Sequence, residues 1–220
     1  MDRARALGPV LLVDTGNVFS SPYVWTGPRK RREAFLSRVY RSWGYRAVAL
    51  GWGDYPALQR GMGRGLPWVS ANVRAPGVRP FRVVGVGPWK VAVTAITGKG
   101  SYALAMDWRR PKGALKEVLK RIPGDVDVVV LLLSSPARGG KLPLERVDVV
   151  LGGVRGRRAN KRQGPPYIFR LRVPRGGEAL MVTLEKTSQG VRLASFKAYV
   201  LNSKVPGDPR VAGEIRAIVR

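Results

Sequence analysis

Residues Val10 to Asn17 read Val-Leu-Leu-Val-Asp-Thr-Gly-Asn, an apolar run that ends in a polar turn containing glycine. Consecutive apolar residues without alternation are typical of a short strand that is buried on both faces. The glycine and asparagine that follow favour a tight turn at the end of this strand. The segment therefore predicts a buried strand with polar side chains at its carboxyl end.

The same pattern of a buried run followed by a Gly- or Ser-containing turn recurs along the chain. It is found at Ala47–Leu50, Val126–Leu133 and Val147–Leu151. We expect these three segments and Val10–Val13 to be neighbouring strands of one sheet. Residues Trp68–Val73 are expected to form a further strand.

The remaining segments divide into helices and antiparallel strands. Apolar spacing predicts helices over 29–43 and 114–122, and Asp208-Pro209 favours the start of a terminal helix. A hairpin is expected around Gly87-Pro88, from 81–86 to 90–96. Alternation predicts antiparallel strands over 167–173, 180–185 and 191–201. We therefore expect one domain over residues 1–220, a mixed α/β sandwich with helices on its outer faces.

The amino-acid composition limits the possible partners and catalytic sites more than it limits the possible folds. The chain has 40 Lys and Arg against 14 Asp and Glu, a net charge of +26. Such charge favours an anionic partner, whether nucleic acid, an acidic protein or an anionic membrane surface; a merely solvated surface or a coding bias toward arginine is the alternative. The absence of Cys and His excludes disulfides, thiolate metal sites and Ser-His-Asp catalysis. We also expect no transmembrane segment and no signal peptide.

Seven segments resemble, in chain order, the motifs of one enzyme family. They are Leu11–Asn17, Gly44–Gly51, Pro67–Val73, Trp89–Thr97, Val126–Ser135, Val147–Gly153 and Lys204–Pro209. Together they resemble the calcineurin-like metallophosphatases, in the 5′-nucleotidase branch. The resemblance implies a four-layer αββα sandwich. It also places the family's first strand before residue 1, so that one sheet would lack this strand and expose an edge that a partner could cover.

The metal ligands of that family are missing from the corresponding positions. The family holds two metal ions through His, Asp and Asn at strand ends. The resemblance places the bridging aspartate on Asn17, and it places the asparagine and histidine of the GNHE motif on Trp52 and Gly53, followed by Asp54. The remaining histidines fall on Ser135, Val154 and Gly156. It therefore implies a degenerate member with no catalytic residue, bound metal or cofactor.

A remnant pocket is expected where those strand ends meet. By the resemblance it contains Asn17, Trp52, Asp54, Ser135 and Val154. We expect the Trp52 ring to fill part of the vacated volume. The alternative is that Asn17 is only a turn residue and Asp54 a turn residue or helix cap.

Two basic loops are expected at the rim of this pocket. They carry Arg138, Lys141, Arg155, Arg157, Arg158, Lys161 and Arg162. Guanidinium groups could replace the lost metal charge and hold a phosphate or carboxylate. The alternative is an ordinary solvated loop.

Three functions are compatible with these features. The first is a non-catalytic interaction or structural subunit, a pseudoenzyme with a basic surface for an acidic protein. The resemblance extends to metallophosphatase-like proteins with eroded motifs that accompany multihaem cytochromes outside the cytoplasm, so it implies a cytochrome or filament as that partner and an extracytoplasmic location. The second is a nucleic-acid or nucleotide binding module. The third is a residual phosphoesterase, which the missing ligands disfavour.

Overall fold

The computed structural model describes residues 6, 8–19, 29–100, 104–134, 142–152, 166–169, 177–188, 190–201 and 207–219. Helices α1 to α4 are Arg29–Trp43, Tyr55–Gln59, Pro111–Arg121 and Pro209–Val219. Strands β1 to β6 are Val13–Asp14, Ala47–Ala49, Trp68–Val69, Val73–Arg74, Phe81–Val86 and Trp89–Ile96. Strands β7 to β12 are Asp107–Trp108, Val128–Leu133, Val149–Gly152, Tyr167–Phe169, Gly177–Thr187 and Gly190–Leu201.

Two sheets face each other across the main core. One is the parallel sheet β1-β2-β3, and the other has the order β10-β9-β8-β6-β5 with only β5 antiparallel to its neighbour. The inner core takes Ala47 and Ala49 from the first sheet and Val130 and Leu132 from the second. The β11–β12 hairpin packs its apolar face on the same core.

Helices cover the outer face of each sheet. Val48 and Trp68 pack with α1 and α2 on one side, while Val129 and Leu131 pack with α3 on the other. Successive residues of β2 and β8 thus serve two different cores, because strand side chains alternate between faces. This arrangement confirms the expected αββα sandwich. No helix within the described residues is long and apolar enough to cross a membrane.

The secondary structure agrees with most of the sequence expectations. The helix over 29–43 is confirmed, and it is followed by Gly44 at a φ of +76°. The hairpin around Gly87-Pro88 is confirmed. Asp208 accepts hydrogen bonds from the N–H groups of Arg210 and Val211, so it caps α4 as expected.

Three expectations about strands are wrong. The four buried runs do not share one sheet: β1 and β2 lie in one, and β8 and β9 in the other. Each sheet is covered on both faces, so an apolar run does not reveal which sheet it joins. Strand β10 pairs in parallel with β9 instead of antiparallel. The strand expected over 68–73 is divided into β3 and β4, because Ser70 and Asn72 turn toward Thr97.

Candidate functional site

The turn after β1 lies tightly against the end of β2. The Asp14 carboxylate accepts hydrogen bonds from the Gly16 N–H at 2.7 Å and the Tyr40 hydroxyl at 2.8 Å. A Cβ on Gly16 would lie 2.5 Å from the carbonyl oxygen of Ala49, and φ at Gly16 is +92°. Only glycine fits this position. Asn17 follows at a φ of +66°, a conformation that asparagine tolerates better than most residues.

Asp54 fastens this turn to the turn after β2. The side chain is fully buried, and its Oδ2 atom accepts the N–H groups of Asn17 at 2.6 Å and Gly51 at 3.0 Å. Its Oδ1 atom accepts the N–H of Phe19 at 2.8 Å. Asp54 precedes α2, but its side chain caps no N–H of that helix. Its carboxylate therefore joins two separate strand ends through the backbone.

Burial controls the ionisation of Asp54. Loss of solvent raises the pKa of Asp54 to about 7, although the N–H groups of Phe19, Gly51 and Asn17 act in the opposite direction. Burial also raises the pKa of Asp14, against the hydrogen bonds from Gly16 and Tyr40. Two carboxyl groups with raised pKa values thus lie at neighbouring strand ends.

The Asn17 side chain is held from two further directions. Its Oδ1 atom accepts the Gly53 N–H at 3.2 Å, and its Nδ2 atom donates to the Ser134 hydroxyl at 3.4 Å. A Cβ on Gly51 would lie 2.4 Å from the Asn17 Oδ1 atom, so the amide occupies the space beside Gly51. The structure therefore brings together Asn17, Asp54 and Ser134 at the ends of β1, β2 and β8.

The other residues of the expected pocket have different outcomes. The half-exposed Trp52 indole packs over Gly100, where an added Cβ would lie 2.4 Å from the indole Cγ. Ser135 and Val154 lie outside the described residues. So do all members of the two basic loops, namely Arg138, Lys141, Arg155, Arg157, Arg158, Lys161 and Arg162.

A buried polar cluster next to this site was not identified from the sequence. The Thr97 hydroxyl donates to the Leu50 carbonyl at 2.7 Å and lies 2.8 Å from the Ser70 hydroxyl. Asn72 pairs with the backbone of Thr97 in both directions, at 2.8 and 3.0 Å. The available signal was the run Ser70-Ala71-Asn72, which is polar at the end of a buried strand. Ser70, Asn72 and Thr97 thus bond to one another, and Thr97 bonds to the residue that follows β2.

These residues do not fit a two-metal centre. Both oxygens of Asp54 already accept backbone N–H groups, and Asn17 Oδ1 accepts another. The chain has no His and no Cys, and among the described residues no group of three carboxylates could hold a metal ion. Paired metal ions need several free oxygen or nitrogen ligands. Asn17 and Asp54 therefore do not supply the ligand set of a two-metal centre.

Comparison with solved structures identifies the fold. The chain is similar to the sulfate thiohydrolase SoxB of Thermus thermophilus, with 20% identity and a TM-score of 0.69 over 98% of this chain and 44% of that one. It is similar to a 5′-nucleotidase precursor of Thermus thermophilus, with 18% identity and a TM-score of 0.68 over 99% and 50%. A calcineurin-like phosphoesterase of Bacillus subtilis, YfkN, gives 13% identity and a TM-score of 0.66 over 99% and 85%.

These similarities show the fold alone. The expected resemblance to metallophosphatases of the calcineurin-like type is confirmed at the level of the fold. The chain spans half or less of the first two structures it matches. No protein-family model and no curated protein matches it.

Proposed function

We propose that this chain is a non-catalytic interaction subunit that uses a metallophosphatase-like frame and a basic surface to bind an acidic partner. The observation that carries the proposal is the bonding of Asn17 and Asp54. Their side-chain oxygens are bonded to four backbone N–H groups. The corner that would hold metal ions in the matched fold is here a backbone junction.

The surface charge supports an acidic partner. The acidic residues of the described chain are largely engaged already, as in the pairs of Arg109 with Glu117 and of Lys186 with Asp127. Lys112, Lys116 and Lys120 recur at every fourth position of α3, are exposed and make no ion pair with a described residue. Residues four apart share one face of a helix, so these lysines form a basic stripe on the outer layer. We name Lys112, Lys116 and Lys120 the α3 stripe.

Metal content and turnover test the first half of the proposal. Purified protein should retain no stoichiometric Mn, Zn or Fe after dialysis, and it should hydrolyse neither a nucleotide nor an aryl phosphate. A metallophosphatase of the same fold, assayed in the same buffers, is the positive control. Metal retention together with turnover would instead establish the residual phosphoesterase.

Binding to an acidic protein tests the second half. Capture from the native source should recover an acidic protein, and neutralising the α3 stripe to glutamine should weaken its binding. Glutamine keeps helix propensity, so thermal stability should stay unchanged. A matched triple change of exposed polar residues elsewhere controls for surface alteration.

Nucleic acid is the competing partner, because the net charge of +26 suits it equally. Phosphate contacts give a steep dependence of affinity on salt. Tight duplex or single-strand binding with such a slope, and no acidic protein in the captured material, would replace the proposal with a nucleic-acid binding module.

A further inference from the structure

Three arginines without acidic partners among the described residues lie where the two sheets meet. The backbone of Arg79 pairs with the edge strand β3: its N–H donates to the Trp68 carbonyl, and its carbonyl accepts the N–H of Ser70. Arg82 follows three residues later on β5, the edge strand of the other sheet. The chain therefore crosses from one sheet to the other between these two side chains.

Arg82 faces the space between the sheets. Val84 and Val86, two and four residues further along β5, belong to the inner core, whereas Phe81 packs on the outer core. Side chains at alternate positions of a strand share a face, so Arg82 lies on the inner face at the edge of the sandwich. Its Nε atom is buried and has no hydrogen-bond partner among the described residues.

Arg46 approaches the same strand from the other sheet. It precedes β2 and lines a groove of about 180 Å³ together with Gly85 and Val86 of β5. Burial lowers the pKa of Arg82, and the charges of Arg79 and Arg46 add to this effect. The side chains of Arg46, Arg79 and Arg82 make no hydrogen bond or ion pair with any described residue.

Arg46 and Arg79 are exposed, whereas the buried Nε atom of Arg82 lacks an acceptor among the described residues. A buried donor left without an acceptor is destabilising, and the like charges of the neighbouring arginines add to that effect. A doubly charged oxyanion would supply both acceptors and negative charge, and guanidinium groups match its geometry. The adjoining groove is lined by apolar residues, including Leu11 and the partly exposed Trp43 and Val10.

We propose that Arg46, Arg79 and Arg82 bind a divalent oxyanion, phosphate or sulfate, either free or as the end group of an organic ligand that lies in the groove. The site is separate from the strand-end corner around Asp54 and goes beyond the partner binding proposed above, since it requires no protein partner.

Titration of the full chain with inorganic phosphate, sulfate and phenyl phosphate tests the proposal. Calorimetry at constant ionic strength should show one saturable site for each anion. Arg82→Gln should weaken the affinity by about tenfold or more, because a charged bidentate contact is lost. Arg121→Gln removes an equally positive, exposed side chain on α3 and should leave the affinity unchanged.

A second readout separates binding from folding. In chloride alone, Arg82→Gln should be at least as stable as the parent, because it removes a like charge and a buried donor. Phosphate should then raise the thermal midpoint of the parent but not of the variant. Should Arg82→Gln fail to fold, the exposed Arg46→Gln gives the same test of affinity.

The anions distinguish the two sources of ligand. Tighter binding of phenyl phosphate than of inorganic phosphate indicates an organic ligand in the groove, and equal binding indicates a free ion. Absence of saturable binding, or an equal loss in Arg82→Gln and Arg121→Gln, would overturn the proposal in favour of diffuse surface charge.

Discussion

Replacement of Asp54 by asparagine tests the junction between the strand ends. Asparagine has the same shape but only one acceptor oxygen. If that oxygen takes the Oδ2 position, it keeps the N–H groups of Asn17 and Gly51, and the new amide faces the N–H of Phe19. At pH 5 Asp54 is protonated in the folded chain, and its hydroxyl oxygen can still accept that N–H, whereas an amide NH2 cannot. In the variant two donors would therefore meet in a buried place, which costs roughly 1–3 kcal/mol. We expect Asp54→Asn to be less stable than the parent by that amount at pH 5.

The difference should change with pH in a defined direction. The pKa of Asp54 is raised from its ordinary value of 3.8 to about 7 in the folded chain. The folded state therefore holds the proton more tightly than the unfolded state does. The stabilisation is fully present below pH 3.8, and it is lost as the pH rises to about 7.

The size of this change follows from the two pKa values. One pKa unit corresponds to about 1.36 kcal/mol, so the whole shift is worth about 4 kcal/mol. Between pH 5 and pH 8 the parent should lose about 2–3 kcal/mol through Asp54, whereas the variant has no carboxyl group there. For a chain of this length, that is a change of about 4–12 °C in the difference between the two thermal midpoints.

Denaturant unfolding of both proteins at pH 5, 6, 7 and 8 measures the effect. The stability difference should shrink with rising pH and approach zero or reverse near pH 8. Asp107→Asn, at an exposed position of β7, controls for the loss of a carboxylate at the surface. Parallel curves for Asp54→Asn and the parent would show that the three N–H groups keep Asp54 ionised throughout, and the account of its burial would be refuted.

Three further predictions concern packing, buried charge and the basic loop. Gly51→Ala should lower the thermal midpoint by several degrees, because the added Cβ would lie 2.4 Å from the Asn17 backbone nitrogen. Gly113→Ala is the control, since Gly113 lies inside α3 with open space around it, and this change should raise stability by about 0.5–1 kcal/mol. Equal effects of the two changes would contradict the packing around Gly51. Glu33 is fully buried and pairs with Arg29 at 2.9 Å and Arg60 at 2.6 Å, so Glu33→Gln should cost about 1–3 kcal/mol in chemical unfolding, and the exposed Glu145→Gln almost nothing. Replacing Arg155, Arg157 and Arg158 by neutral residues should weaken binding to an anionic partner without changing the thermal stability. Unaltered binding of every tested anion would show that the loop is only a solvated surface.

Local patterns predicted the elements better than their assembly. The helix over 29–43 and the hairpin around Gly87-Pro88 follow from periodicity and turn residues, which are properties of neighbouring positions. The division of strands between two sheets does not, because β2 and β8 are equally apolar on both faces. Long-range packing decides that division, and a single sequence contains no local signal for it.

The strand-end corner around Asp54 and the arginine site also differ in how far the sequence predicted them. The meeting of Asn17 with Asp54 was expected from the resemblance, since both follow strands whose carboxyl ends share an edge. Ser134, which bonds to Asn17, was not among the expected pocket residues, and its neighbour Ser135 lies outside the described residues. Arg79 and Arg82 are three residues apart, whereas Arg46 comes from a distant segment, and no spacing in the sequence connects it to the other two.

Asp54 holds the ends of β1 and β2 together through hydrogen bonds to the backbone. Bound metal ions would draw polar strand ends together by charge, and they require ligand atoms left free by the backbone. In this chain the polar side chains bond to the protein itself instead of to metal ions. The Asp54 carboxylate accepts the N–H groups of residues 17, 19 and 51, and the Asn17 amide forms hydrogen bonds with Gly53 and Ser134. Adding a ligand would require breaking bonds that stabilise the fold. It follows that a histidine introduced at Gly53 or at Ser134 should lower stability before it creates a metal site, because each change removes or crowds a bond of Asn17.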